Sequence, residues 1–365
     1  MSTDEQQSRP ENRAEDRWKI NIDTGGTFTD GYAISPNGDS HRTKVLSSGH
    51  IRARLRVLGG SHLIETTLSS SVLNGADVLD IRTRKKIGTA QLRDGSLYLH
   101  NTSDALGALP GIVDLDPGID APLLAMHELT KTPLSNELPP IQLRVATTRG
   151  TNALLTNDIS RVLLISTRGF GDLPVIGDQA RPDIFALNPT PPRLLPAQTI
   201  EIDARMSVDG VELHPVHIET LKEQILDLFE KNHFDSVAIA LLHSWKNPAH
   251  ELAIYEALTK AGIPHVTCSH ECSPDARLVP RMRTAIAEAA LSPTIESFLS
   301  GLGAHKENDE IHAMSSSGGL VIDSAYRASQ SLLSGPAAGI VGAAKSAEKC
   351  TDKAIIGFDM GGYAS

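Results

Sequence analysis

No apolar run in this chain approaches the ~18 residues a helix needs to cross a bilayer, so the sequence offers no candidate membrane span. Clustered positive charge is missing as well. The formal net charge is -10, which argues against nucleic acid as a partner, because phosphate contacts need grouped Lys and Arg. Cysteine is scarce. Cys268, Cys272 and Cys350 are the three present, and so small and odd a number fits a reducing cytoplasm without structural disulfides. Residues 1–16 are polar and charged and lack the apolar segment of a secretory signal, so they read as a disordered tail. No Rossmann or P-loop string occurs, and no Ser/His/Asp or Cys/His nucleophile pattern stands out. Aromatics make up 4% of the 365 residues against 40% hydrophobic and 21% charged. That balance suits a globular protein with a large core, in about two to three domain-sized units.

What is present is a polar glycine turn directly after a short strand. Trp18 to Ile22 is apolar and extended in character, and Asp23, Thr24, Gly25, Gly26, Thr27, Phe28, Thr29 and Asp30 follow. Apolar character resumes from Gly31 to Ile34, so the turn joins two antiparallel strands, with Phe28 as a core anchor. A glycine pair tolerates positive φ and exposes backbone N–H groups in a concave nest suited to a phosphate oxygen. Thr24, Thr27 and Thr29 add hydroxyls. Asp23 and Asp30 would repel phosphate unless a divalent metal or water stood between. A lone Asp-x-Gly-Gly is better explained by a tight hairpin with the Asp in an Asx-turn. Three threonines, a closing Asp and a near-echo at Gly357, Phe358, Asp359, Met360, Gly361 and Gly362 favour the phosphate reading.

A second polar knot, Thr147 to Asn152, sits between the strand-like Leu143–Ala146 and a helix start at Ala153. It serves either as helix N-caps or as an anion site at a helix N-terminus. Residues 51–139 alternate in short segments between Gly, Asp and Pro turns, which predicts a small β-rich insertion that closes with a helix near Ala121–Leu129. Farther on, apolar positions predict helices over His217–Asn232 and Pro248–Ala261 and strands over Arg161–Ser166, Val237–Leu242 and Pro264–Cys268, an α/β alternation with crossover helices. Pro274–Leu302 reads as helical with breaks at Pro280 and Pro293. Ile311–Ser315 reads as a strand, Ser334–Ala347 as a small-residue helix that either packs closely or lines a nucleotide cleft, and Ala354–Phe358 as the last strand. Cys268, His270 and Cys272 alternate without a fourth donor at a familiar zinc spacing and read as a strand end entering a loop. Single histidines such as His243 and His270 more often fill cores or loops than act as general bases.

Taken together, Ile22–Asp30, Thr147–Thr148 with Thr151–Leu155, Thr167–Asp172, Arg181–Asp183, Leu241–Ser244 with Asn247–Pro248, Ser269–Glu271 with Ser273–Pro274, Ser317–Gly319, Ser334–Ala337 and Asp359–Gly362 resemble the hydantoinase/oxoprolinase family, in its A-type region. The resemblance runs from about residue 18 onward, outside much of 51–139. It implies an α/β ATPase fold of the actin, sugar-kinase and heat-shock-chaperone type with an incomplete second lobe. It divides the chain into an N-terminal domain at 17–215 and the start of a second domain at 216–365. It implies ATP and Mg²⁺ as cofactors. Thr24, Gly25, Gly26, Thr27, Thr29, Asp30, Thr147 and Thr148 would hold the nucleotide, with Asp23 at the metal. Asp359, Gly361 and Gly362 would begin a second phosphate loop, and Asp23 and Asp359 would be the catalytic carboxylates. The implied activity is ATP-dependent opening of a small cyclic amide, of 5-oxoproline or hydantoin type, in the cytoplasm. The alternatives are a non-catalytic nucleotide-binding piece that works with a B-type partner, and a carboxylase. Two departures stand out. Ala146 replaces a usual Gly before Thr147, and Tyr363, Ala364 and Ser365 stand where the family continues Thr-Ser-Thr-Asp. The latter predicts an N-terminal portion of a longer enzyme.

Overall fold

The computed structural model describes residues 17–58, 60–100, 111–180, 183, 185–187, 192, 194–302, 310–348, 350 and 353–358. The tail expected over 1–16 lies outside them, as do Asp359, Gly361 and Gly362. The chain forms two compact units. Unit 1 holds residues up to Thr148, then Ser300–Tyr326 and Leu333 onward; unit 2 holds Arg149–Leu299 and Arg327–Leu332. This division does not follow 17–215 and 216–365, because strands from both ends of the sequence pair in one sheet.

Unit 1 begins with β1 (Trp18–Thr24), β2 (Phe28–Ile34) and β3 (Ser40–Leu46), an antiparallel meander. Then come β4 (Ile51–Leu58), β5 (Ser61–Glu65), β6 (Asp77–Asp80), β7 (Lys86–Arg93), β8 (Ser96–His100) and β9 (Ile112–Asp116). These six close into an antiparallel barrel in the order β4-β5-β8-β7-β6-β9. Closure leaves no strand edge to be satisfied elsewhere. The β-rich segment therefore ends near residue 116, short of 139. The helix that follows, α1 (Ala121–Thr130), packs on β1, β2 and β3. Its Glu128 carboxylate accepts bonds from the Ser69 N–H and hydroxyl, both at 2.9 Å, which ties the barrel segment to α1.

After β10 (Ile141–Thr147) the chain enters unit 2 through α2 (Arg149–Thr156), β11 (Val162–Thr167), α3 (Leu173–Ile176), β12 (Gln198–Ile202), the short pair β13 (Arg205–Met206) and β14 (Glu212–His214), α4 (Ile218–Asn232), β15 (Ser236–Ala240), α5 (Ala249–Lys260), β16 (Val266–Cys268), α6 (Ser269–Cys272) and α7 (Leu278–Gly301). Its four-stranded sheet has the order β12-β11-β15-β16, all parallel. One face packs against α4 and α5 through Leu221, Ile225, Ile254 and Leu258, and the other against α7 through Met282, Ala285, Ile286 and Ala289. Strands covered on both faces read as continuous apolar runs, which is why 162–167 and 236–240 were legible. α7 runs 24 residues through Pro293 without a break. Pro280 sits in the first turn, where its N–H is not needed, and burial of the apolar face outweighs the one bond Pro293 removes.

The chain returns to unit 1 with β17 (Glu310–Met314), β18 (Leu320–Ile322) and α8 (Ser334–Ala347). The six-stranded sheet has the order β18-β17-β10-β1-β2-β3, with β10 parallel to β1 and β17 parallel to β10. Ala354–Phe358, expected as a strand, is not one. No described strand pairs with it, and Ile356 and Phe358 are exposed. An extended apolar run becomes a strand only with a partner that takes up its backbone groups. Phe28 also departs from expectation. It is 43% exposed, with Lys44 Nζ 4.8 Å from its ring centre.

Gly31 sets the distance between β2 and α1. A Cβ there would lie 2.9 Å from Thr43 Cγ2 and 3.0 Å from Leu129 Cδ1. We expect Gly31→Val to lower stability by about 1–3 kcal/mol through overpacking, read as a drop in the urea midpoint. Leu129→Ala in the same chain should restore part of the loss.

Candidate functional site

Strand alternation places the ionic residues of the hairpin on one face. Ile20, Ile22 and Thr24 of β1 are buried, while Asp23 between them is exposed. The register sets Asp23 opposite Asp30 and Asp30 opposite Lys44, so one rung carries two carboxylates and an ammonium. Asn21, Tyr32 and Arg42 form the rung beside it. Lys44 Nζ lies 2.8 Å from both carboxylate oxygens of Asp30. Arg42 stacks over Tyr32 at 5.6 Å.

This face forms one wall of a cavity of about 920 Å³ that continues over β10 with Arg144, Val145 and Ala146, and over α8 with Ala338, Gly339, Val341 and Gly342. Ala146 is 7% exposed and borders the cavity. Three cations, Arg42, Lys44 and Arg144, share the lining with Asp23 and Asp30. The small residues of α8 pack on β10 and β17, and the same helix borders this cavity.

The two polar knots of the sequence meet. Because β1 and β10 are parallel neighbours, their carboxyl ends lie side by side. The Thr148 N–H donates to Thr24 O at 3.0 Å, and Ser334 Oγ at the start of α8 donates to Thr147 O at 3.0 Å. Thr24 Oγ1 is buried and finds no hydrogen-bond partner among the described residues.

The turn differs from the expected nest. Gly25 has no positive φ, and its N–H donates to Phe28 O at 3.0 Å. A Cβ at Gly25 would lie 3.1 Å from that same oxygen, so the glycine serves a tight hairpin closure. Thr29 is fully buried, its hydroxyl 3.1 Å from Ser47 Oγ, and Ser47 in turn donates to Gly25 O. Gly26 and Thr27 are exposed at the tip. Asp23, Gly26, Thr27 and Asp30 are therefore exposed, while Thr24, Thr29 and Thr147 are buried. Sequence reading missed Arg42, Lys44, Tyr32 and Arg144. The alternation of Arg42 and Lys44 along β3 was the available signal, but it acquires meaning only once the pairing register is known.

Unit 2 carries a second polar cluster. Ligand atoms of Glu251, Cys268 and His270 lie within 4.8 Å of one another. Glu251 is fully buried and already saturated. Leu241 N–H and Ser269 Oγ donate to one oxygen at 2.9 and 2.7 Å, and His270 N–H and Nδ1 meet the other at 3.1 and 2.7 Å. Arg281, also fully buried, donates to Ser269 Oγ and to Leu241 O. Burial pushes the Cys268 thiol up and the Cys272 thiol up to about 12, so both stay protonated. The trio is a hydrogen-bonded brace at the ends of β15 and β16, where the sequence suggested only a strand end. His243 stands nearby in the left-handed region at φ 61°, with its pKa lowered by burial and by Arg205 and Arg281.

The fold and cavity define a mixed α/β protein with a carboxylate-and-cation cleft beside a polar glycine turn. Family models for the hydantoinase/oxoprolinase N-terminal region and for hydantoinase/oxoprolinase match residues 122–262 and 281–364. The chain belongs to the hydantoinase/oxoprolinase family. It is 33% identical to 5-oxoprolinase 1 of Arabidopsis thaliana in an alignment 306 residues long that covers 72% of this chain and 24% of that protein. It is 26% identical to caprolactamase subunit alpha of Pseudomonas jessenii, over 95% of this chain and 42% of that one. The chain spans about a quarter of the length of the 5-oxoprolinases it matches. Among solved structures it resembles the nucleotide-free acetone carboxylase from a study of ATP-dependent acetone carboxylation, with TM-score 0.53, 20% identity and coverage of 91% of this chain and 40% of that one. No helix among the described residues is long and apolar enough to cross a membrane.

Burial alone would raise the Glu251 pKa, but the bonds from His270, Leu241 and Ser269 outweigh it and hold it below the ordinary 4.5. A depressed carboxylate stabilises the fold above its unfolded value and loses that contribution as pH falls through the folded one. Stability should therefore decline as pH drops below 4.5. Glu251→Gln should flatten this acid limb while lowering stability at neutral pH, because Arg281 loses its buried countercharge. Urea unfolding at a series of pH values measures both effects.

Proposed function

We propose that this chain is the phosphate-binding part of an ATP-dependent hydrolase of cyclic amides, of the 5-oxoprolinase or hydantoinase class. The observation that carries the proposal is the Asp23–Asp30 rung, which faces a large cavity also lined by Arg42, Lys44 and Arg144. Two carboxylates alone would repel a triphosphate. Two carboxylates beside three cations suit a triphosphate with its divalent metal. The donor set is hard oxygen, which fits Mg²⁺. Family membership and the activities for which the relatives are named support the same reading, as does the meeting of both polar knots at the carboxyl ends of β1 and β10, where ligands of open α/β sheets bind.

In this reading Asp23 and Asp30 hold the metal, directly or through water. Gly26 and Thr27 at the exposed tip offer N–H and hydroxyl donors to phosphate. The Thr147–Thr148 pair positions the turn through the bond from Thr148 N–H to Thr24 O. Thr24 and Thr29 support the loop from inside, with Thr29 and Ser47 fixing Gly25 O. Asp359, Gly361 and Gly362 stay the proposed start of a second phosphate loop. The whole fold proposed is the two-lobed ATPase type of actin and the sugar kinases. ATP, when bound, supplies a phosphoryl group that makes the oxygen of a resonance-stabilised lactam a leaving group and couples ring opening to its own consumption. The chain's own residues orient the phosphates and offset their charge, which is the main protein contribution in phosphoryl transfer. A B-type partner, or a fused B-type region, completes the substrate side; caprolactamase subunit alpha is by its name one subunit of an assembly.

Titration calorimetry of the 365-residue chain with MgATP tests the site. We expect binding that needs the divalent metal, weakened about tenfold or more by Asp23→Asn. With a B-type partner added, phosphate release should depend on 5-oxoproline or a hydantoin. Release that depends instead on bicarbonate would point to a carboxylase, and no release with any cyclic amide would sink the hydrolase reading.

A further inference from the structure

We propose that Lys44 is a phosphate-contacting residue of this cavity. It gives up its ion pair with Asp30 when a divalent cation takes that carboxylate, and turns to the phosphate oxygens. The inference rests on the reading of the unit 1 cavity as a metal–nucleotide site and assigns a residue that no sequence motif marked.

The geometry carries it in three ways. First, Lys44 belongs to the same rung as the two carboxylates. Opposed like charges on neighbouring strands are unfavourable, and Lys44, 2.8 Å from both Asp30 oxygens, offsets the charge of that carboxylate. A divalent cation shared by Asp23 and Asp30 would do the same with twice the charge, which leaves Lys44 without a task at Asp30. Second, the pair is easily exchanged. Lys44 and Asp30 side chains are 54% and 56% exposed, and ion pairs so open to water contribute little. Third, the released ammonium stays beside the turn. Its Nζ lies 4.8 Å from the centre of the Phe28 ring, and Phe28 follows the exposed Gly26 and Thr27. An ammonium over an aromatic face is held there without a carboxylate, which gives the half-exposed Phe28 a contact at the turn. Arg42, by contrast, is engaged over Tyr32 one rung away. Among the described residues, the lining that α8 contributes is Ala338, Gly339, Val341 and Gly342, none of them charged.

The test compares wild type, Lys44→Met and Lys44→Arg in the 365-residue chain. Mn²⁺ alone is followed by paramagnetic resonance and MgATP by calorimetry. With its competitor gone, Asp30 in Lys44→Met should bind Mn²⁺ about two- to fivefold tighter. MgATP should bind about tenfold weaker, from loss of a charge-assisted contact. Lys44→Arg should keep MgATP within about threefold, because it keeps the cation. These shifts of opposite sign separate a phosphate contact from simple screening. If Lys44 only neutralised Asp30, its removal would tighten Mn²⁺ and leave MgATP unchanged or tighter. Wild type that binds MgATP, with Lys44→Met binding it equally well, overturns the role of Lys44 and leaves the site standing. Wild type that binds no MgATP removes the site and the role of Lys44 together. Lys44 is exposed, so unchanged thermal melts should accompany every variant.

Discussion

The register of β1 between β2 and β10 is the constraint on which unit 1 depends. A strand shows alternate residues to opposite faces, so a slip of one position would exchange every side chain of β1 between them. Ile20, Ile22 and Thr24 go inward, and that obliges Asp23 to stand on the open face. The antiparallel pairing then brings Asp30 opposite Asp23, and β3 adds Lys44 to the same rung. The parallel pairing with β10 brings Thr147 beside Thr24. Gly31 lets α1 approach closely enough to seal the inner face. Burial of apolar surface on one side thus determines the ionic arrangement on the other, although the ionic pairs themselves contribute little stability.

Unit 2 answers a different constraint. Its parallel sheet is covered on both faces, so the strand ends are where backbone polar groups run short of partners. Glu251 and Arg281 meet that need from inside. The carboxylate takes the Leu241 and His270 N–H groups, and the guanidinium takes Leu241 O and Asp275 O. Two full charges are tolerated in the interior because donors and acceptors surround them and because Ser269 links the two. A metal ion would have to displace bonds that are already made, so three donors at ligand-like separations do not add up to a metal centre.

Much of the fold could be read in the residues because local pattern and burial agree. The apolar runs at 162–167 and 236–240 are fully buried strands, and the stripe in 218–232 is the helix α4. Where the reading failed, a nonlocal partner was missing or an unexpected one was present. Ala354–Phe358 has the composition of a strand but no described neighbour to pair with. Pro293 has the signature of a helix break, yet α7 continues across it, with Ala289 and Ala290 buried before it and Ile295 and Phe298 buried after it. Phe28 looked like core and instead lies under Lys44. Asp23 and Asp30 were evident as candidates because they flank a glycine turn with three threonines that has a near-echo at 357–362. Lys44, Arg42 and Arg144 were not, since isolated cations on strands are ordinary surface residues until a sheet brings them to one wall.

The sequence by itself determined the alternation of strands and helices, the two polar knots and the family to which they belong, because each of these lies in short runs of residues whose chemistry is local. Tertiary structure alone decided which of those groups face outward. The three threonines of the glycine turn look equivalent in sequence. Thr24 and Thr29 are buried and Thr27 is exposed, because the period of two and the closure of the hairpin by Gly25 leave no other choice. It also decided what stands beside Asp30. A residue fourteen positions away becomes its ion-pair partner only when three strands align in register, and register is set by the core those strands share.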